Sequence, residues 1–112
     1  AKAAPLAPSN DNHVKGYTSR SGIALTFDDE KKSLTLATPG GNTLVLDDDG
    51  GGITISDGNG NKIVLSSDGI AIESAKAFSL KANTEMKFES IVSTDVKSIG
   101  VVKVAGSALQ LG

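Results

Sequence analysis

The stretch that decides the fold runs from Ile70 to Gly112 and reads, in eights, IAIESAKA FSLKANTE MKFESIVS TDVKSIGV VKVAGSAL QLG. Its first column is Ile70, Phe78, Met86, Thr94 and Val102, and its third is Ile72, Leu80, Phe88, Val96 and Val104. Nine of these ten residues are apolar, and they alternate with Ala71, Ser79, Lys87, Asp95 and Lys103. Side chains two residues apart on a strand share a face, so each eight carries one short strand with an apolar side. The fifth column is small throughout (Ser74, Ala82, Ser90, Ser98, Gly106), which suits a bend where backbones pass closely. The fourth column runs Glu73, Lys81, Glu89, Lys97, alternating in sign as on an exposed rim where strands lie side by side.

Working back from there, residues 17–69 hold short alternating strands such as Leu34-Thr35-Leu36, Leu44-Val45-Leu46 and Ile53-Thr54-Ile55. A 19-residue repeat relates Ser33–Gly51 to Gly52–Ile70, with seven identical positions, among them Gly41/Gly60, Asn42/Asn61 and Val45/Val64. Pro39-Gly40-Gly41 and Asp57-Gly58-Asn59-Gly60 are turns built from residues that tolerate positive φ, so antiparallel hairpins are expected. Residues 1–16, AKAAPLAPSNDNHVKG, have no periodicity and read as a flexible linker or arm. The segments expected are thus an arm over 1–16, a hairpin-rich β-prism segment over 17–69, and an octad-repeat β-helix over 70–112.

Composition limits what this chain can be. It has 112 residues, three Phe, one Tyr and no Trp, with thirteen Gly and 38% hydrophobic residues. That is thin material for a core within one chain, and no helix-period apolar stripe runs over a useful length. The fold class expected is all-β. The net charge is −2 and no basic patch stands out, so no nucleic-acid partner is expected. There is no cysteine, which excludes a disulfide scaffold and a Cys-based zinc site. No apolar run approaches the roughly 18 residues of a membrane span, and no secretory h-region opens the sequence. The first residue is Ala1 rather than Met, so a piece of a longer protein is expected.

A ribbon of short strands with one apolar face cannot fold alone. Ordering costs roughly 1–2 kcal/mol per residue, and burial returns about 25 cal/mol per Å² only where something covers the face. An eight-residue coil is too short for one chain to close a solenoid turn, which takes roughly 20 residues or more. It is long enough for one side of a triangular prism. The expectation is an intertwined homotrimeric β-helix, a prism-like needle whose trimer core is Ile70, Ile72, Phe78, Leu80, Met86, Phe88, Thr94, Val96, Val102 and Val104. Thr94 is the polar exception; its three copies would bond one another, or a trapped water or ion, near the axis. At the end the apolar phase slips by one residue, from Val104 to Leu109 and Leu111. Leu109, Leu111 and Gly112 are therefore expected to form a flat apolar end that caps the prism or receives a tip protein.

The run Lys15-Gly16-Tyr17-Thr18-Ser19-Arg20-Ser21-Gly22, then Phe27-Asp28-Asp29, then Gly41-Asn42-Thr43-Leu44-Val45-Leu46-Asp47-Asp48, leads into the octads. Over residues 14–112 that order resembles the C-terminal spike of VgrG proteins of type VI secretion systems and baseplate protein V of contractile phage tails. The resemblance implies a cell-puncturing spike segment of a contractile injection apparatus. Such a spike transmits contraction force mechanically through a target membrane. It implies upstream baseplate and tube-adaptor domains, a PAAR-type tip protein at the C-terminal end, assembly in the cytoplasm on a baseplate or tail, and then injection. Some phage relatives close with a metal-binding His-x-His tip; this chain has only His13, far from its C-terminus, so no metal is expected there.

Other chemistry is weaker. Asp47-Asp48-Asp49-Gly50 could be a calcium loop, but Asp in a polar hairpin turn is the preferred reading. Asp57-x-Asn59-x-Asn61 has the spacing of an EF-hand start, yet Lys62 stands where its Gly belongs and strands flank it. Glu73 and Glu89 could pose as a glycosidase pair, but they belong to the regular charged column. Lys15 and Arg20 read as solvated. No enzyme and no cofactor are expected. The rival reading is a trimeric tail-fibre-like binding module for a surface glycan. It would need exposed aromatics, and of Tyr17, Phe27, Phe78 and Phe88 three alternate with polar neighbours as inward residues do.

Overall fold

The computed structural model describes residues 14–112, which fall into two units divided after Phe78. Residues 1–13, including most of the expected arm and His13, lie outside the described residues.

The first unit is one seven-stranded antiparallel sheet in chain order. Its strands are β1 (Val14–Thr18), β2 (Ala24–Asp28), β3 (Ser33–Ala37), β4 (Thr43–Asp47), β5 (Gly52–Ser56), β6 (Lys62–Ser66) and β7 (Gly69–Glu73). Each pairs with the next, so the hairpins expected for residues 17–69 are present as a meander without crossovers. The ladder begins at Val14, inside the stretch read as an arm, and β7 carries the first residues of the octads.

Turn chemistry sets the strand length. At one edge Ser19 N, Thr38 N and Asp57 N donate to the carbonyls of Ile23, Asn42 and Asn61 at 2.8, 3.0 and 3.2 Å. These turns recur every 19 residues, and each holds a glycine in the left-handed region: Gly22 at φ 98°, Gly41 at 97° and Gly60 at 93°. A side chain there would cost strain that glycine avoids. At the opposite edge short polar side chains open the turns. Asp28 Oδ1 accepts from Glu30 N and Lys31 N, Asp47 Oδ1 from Gly50 N, and Ser66 Oγ from Asp68 N, at 2.9 to 3.2 Å. This is how Asp and Ser favour turns over ladders. The repeat thus reaches back through β1 and β2, a copy too diverged to read beforehand. It ends at Ser66, where β6 and β7 close over Ser67-Asp68 alone, while the preceding turn spans Asp48 to Gly51. Asp68 and Gly69 therefore do different work from Asp49 and Gly50, which they match in sequence.

Register assigns the faces. Tyr17, Leu25, Leu36, Leu44, Ile55, Ile63 and Ile72 lie opposite one another in a row across the sheet. Phe27, Leu34, Leu46, Ile53, Leu65 and Ile70 form a second row on the same face, ended by Lys15. Between them, on the other face, run Gly16, Thr26, Thr35, Val45, Thr54, Val64 and Ala71. One face is therefore almost wholly large and apolar, while the middle row of the other is small or β-branched and Asp28, Asp47, Lys62 and Glu73 stand at its strand ends. No described residue is buried. One sheet is one layer, and a layer needs a second to make a core.

The second unit, Ser79–Gly112, contributes no residue to a strand ladder. Its backbone bends at Asn83-Thr84, Ile91-Val92, Ile99-Gly100 and Ser107, once in each eight. Fifth-column serines brace these corners. Ser90 Oγ donates to the carbonyl of Ser93, and Ser98 Oγ accepts from Gly100 N at 3.1 Å. In the first unit Ser74 Oγ does the same toward the Ala77 carbonyl at 2.6 Å.

Candidate functional site

The feature that asks for a function is the uncovered apolar face. On the sheet, a cleft of about 550 Å³ lies between Ile23, Leu36, Leu44, Ile55 and Ile63, with Thr43, Ser56, Asp57 and Lys62 along its polar border. Thr43 and Ser56 are tied across β4 and β5 by a 2.6 Å hydroxyl pair. A second hollow lies between Ile63, Ile72 and Phe78.

The border of the first cleft is held by Asp57. Its Oδ1 accepts from Asn59 N at 2.9 Å and Asn61 N at 3.0 Å, and its Oδ2 from Asn61 Nδ2 at 2.9 Å. These bonds, the Asn61 side chain first, lower its pKa from 3.8 to about 2. The carboxylate is therefore spent on the turn. Asp47 is likewise engaged with Gly50 N at 2.9 Å in its hairpin. Among the described residues no group of His, Cys, Asp or Glu is placed to hold a metal ion.

The sites expected from sequence are distributed as follows. Ile70 and Ile72 stand in β7, each continuing one of the two apolar rows: Leu65 pairs with Ile70, and Ile63 with Ile72. Phe78 closes the first unit. Leu80, Met86, Phe88, Thr94, Val96, Val102 and Val104 all lie exposed in the second unit. The Thr94 hydroxyl has a partner within its own chain, Ser90 Oγ at 3.0 Å. Leu109, Leu111 and Gly112 are exposed at the end of the chain. The basic Lys15 sits at the end of an apolar row, opposite Phe27.

Sequence reading missed two sets of residues. The first is the apolar face of β2 to β6. Its alternation was visible in Leu34-Thr35-Leu36 and Ile53-Thr54-Ile55, but only register shows that these residues align with Ile70 and Ile72. The second is Ile91, Val92 and Ile99, which sit at the bends with relative exposures of 103%, 94% and 107%. They fall outside the first and third columns, so the column pattern could not flag them. Tyr17 and Phe27 lie within the aliphatic rows of the sheet and form no separate aromatic cluster.

Residues 33–96 match the family model described as the phage baseplate V C-terminal trimerisation domain. The match begins with β3, crosses the rest of the meander and ends within the fourth octad at Val96. No curated protein matches the chain.

Proposed function

The chain belongs to the phage baseplate V C-terminal trimerisation domain family, and from that premise we propose that it is the shaft of a cell-puncturing spike in a contractile injection apparatus. The family is a structural one of tail baseplates, and its description as a trimerisation domain supports a homotrimer. The finer reading rests on one observation: two apolar rows cross the whole sheet and pass into the octads, while no described residue is buried. A chain in this state gains stability only when other chains cover those rows.

In the proposed trimer the rows of Leu, Ile and Phe turn toward a common axis. The Thr- and Val-bearing face, with the charged second and fourth columns of the octads, turns outward. Ile70, Ile72, Phe78, Leu80, Met86, Phe88, Thr94, Val96, Val102 and Val104 continue the axial core. Covering every strand edge with another chain removes the template for aggregation that an exposed ladder presents. The product is stiff because bending it would break interchain bonds all along its length. Such a shaft delivers contraction force through a target membrane by mechanics alone. Leu109, Leu111 and Gly112 form the end that receives a PAAR-type tip protein, and baseplate or tube-adaptor domains stand upstream. Assembly on a cytoplasmic baseplate or tail precedes injection. Type VI secretion spikes and phage tails both fit this role.

Light scattering coupled to size-exclusion chromatography tests the reading. The expected mass is that of three chains, and the species is expected to persist in SDS until heated. A folded monomer would sink it.

A further inference from the structure

Three turns at one edge of the sheet repeat one design, and the third departs from it. They read Ser19-Arg20-Ser21-Gly22, Thr38-Pro39-Gly40-Gly41 and Asp57-Gly58-Asn59-Gly60. In the first two, the left-handed glycine donates its N–H to the carbonyl that opens the turn: Gly22 N to Ser19 at 3.0 Å and Gly41 N to Thr38 at 3.1 Å. In the third, the Asp57 carboxylate takes Asn59 N at 2.9 Å and Asn61 N at 3.0 Å. Gly60 N, at the matching place, has no hydrogen-bond partner among the described residues.

This turn also sets an asparagine directly before its glycine. Asn59 and Gly60 are both exposed, and the Asn59 amide makes one long bond, from Nδ2 to Asp57 Oδ2 at 3.4 Å. The other described asparagines stand differently. Asn42 and Asn83 each precede a β-branched threonine, Thr43 and Thr84. Asn61 precedes Lys62 of β6, and its amide is engaged at both ends, with Asp57 Oδ2 at 2.9 Å and Ala75 N at 2.8 Å. A side chain on the following residue crowds that residue's backbone nitrogen, and glycine has none.

The geometry points to Asn59-Gly60 as a site of spontaneous deamidation in the folded chain, whose conversion loosens the turn that holds Ala75. The step needs neither enzyme nor oxidant. Gly60 N gives its proton to hydroxide or a buffer base and attacks Asn59 Cγ. The N–Cγ bond forms, the Cγ–Nδ2 bond breaks, and the amide nitrogen leaves as ammonia with a proton from solvent. Water then opens the cyclic imide. Breaking the new N–Cγ bond leaves aspartate, and breaking the original peptide bond leaves isoaspartate. The net change is one ammonia lost and one water gained.

Either product sets a carboxylate where the Asn59 amide had donated to Asp57, and like charges so placed repel. Asp57 Oδ2 is the atom that also accepts from Asn61 Nδ2, and Asn61 Oδ1 accepts from Ala75 N, so the disturbance passes along that relay. Isoaspartate lengthens the backbone as well. The inference stands on this turn alone and is independent of the trimer proposed above.

Ageing the full chain in mildly alkaline buffer, with fragment-ion mass spectrometry to locate each amide replaced by an acid, tests it. Asn59 is expected to convert about tenfold faster than Asn42, Asn61 or Asn83, and more slowly in mildly acidic buffer. The thermal midpoint of the chain is expected to fall as conversion proceeds. Asn59→Ser and Asn59→Gly, which install the residues of the other two turns, are expected to keep their own midpoints on ageing. Conversion of Asn59 no faster than that of Asn42 or Asn83 would overturn the site. So would conversion confined to chain unfolded in urea, because the fold would then protect the turn. A midpoint unchanged after full conversion would overturn the loosening.

Discussion

The Asp57 carboxylate holds Asn61 twice, through its backbone N–H at 3.0 Å and its side-chain amide at 2.9 Å. Asn61 Oδ1 then accepts from Ala75 N at 2.8 Å, so the turn between β5 and β6 also fixes the chain just after β7. The place where the meander gives way to octads is thus pinned by a side-chain relay. Its acid end stays charged to lower pH than a free carboxyl, because the bonds from Asn61 and Asn59 lower the Asp57 pKa from 3.8 to about 2. A carboxyl with a lowered folded pKa contributes stability that is complete above its unfolded pKa and lost as pH falls through the folded one. Asp57→Asn is therefore expected to lower the thermal midpoint at pH 6. That difference from the unsubstituted chain should shrink between about pH 4 and pH 2. A difference that stays constant down to pH 2 would contradict the role of the charge. Asn61→Ala, which also frees Ala75 N, is expected to cost about 1 kcal/mol.

Glycines in the meander differ in what they tolerate. A Cβ at Gly52 would collide with the Leu65 carbonyl oxygen across β5 and β6, whereas one at Gly40 would meet nothing within 4 Å. Gly52→Ala is expected to destabilise by about 1–3 kcal/mol, as backbone overpacking does. Gly40→Ala should be neutral within about 0.5 kcal/mol, as for an open surface site. Denaturant melts of the two variants under identical conditions make the comparison.

The two faces of the sheet should respond in opposite ways to charge. Leu44 lies in an apolar row, and Thr35 lies in the row on the other face. In the proposed trimer Leu44→Asp would place three carboxylates against the axis, and it is expected to abolish assembly on light scattering. Thr35→Asp is expected to leave the three-chain mass intact, with a shift of about 0.5 kcal/mol. Equal loss of assembly in both would mean that the sheet buries both faces.

The proposed tip can be tested apart from the proposed shaft. Leu109→Asp with Leu111→Asp is expected to preserve the assembled mass while weakening capture of a PAAR-type protein by about 30-fold or more, the size of a contact worth about 2 kcal/mol. Unchanged capture by a variant that still assembles would place the docking surface elsewhere.

Much of the architecture could be read before any coordinates. Leu34-Thr35-Leu36 and Ile53-Thr54-Ile55 announce strands because alternation is local. Gly41 and Gly60 announce turns because positive φ is a property of the residue. The first copy of the 19-residue repeat escaped notice because Tyr17, Ser19 and Phe27 satisfy the same backbone demands with different side chains. Turn chemistry accepts Ser19, Thr38 or Asp57 alike, so identity is lost where geometry is kept. Conversely, Asp49/Asp68 and Gly50/Gly69 match in sequence, yet the shorter Ser67-Asp68 turn gives them different places.

By itself, the sequence determined the strand and turn content, the period of eight, and the shortage of core material within one chain. These follow from short-range sterics and from counting apolar residues. The tertiary structure decided that the strands form one meander, that Leu44 and Ile55 share a face with Ile72, and that Asn61 reaches Ala75. Those depend on register and on pairs more than ten residues apart in the chain, as from Asn61 to Ala75. A slip of one residue would send every side chain of a strand to the other face, and only the assembled ladder chooses between the two.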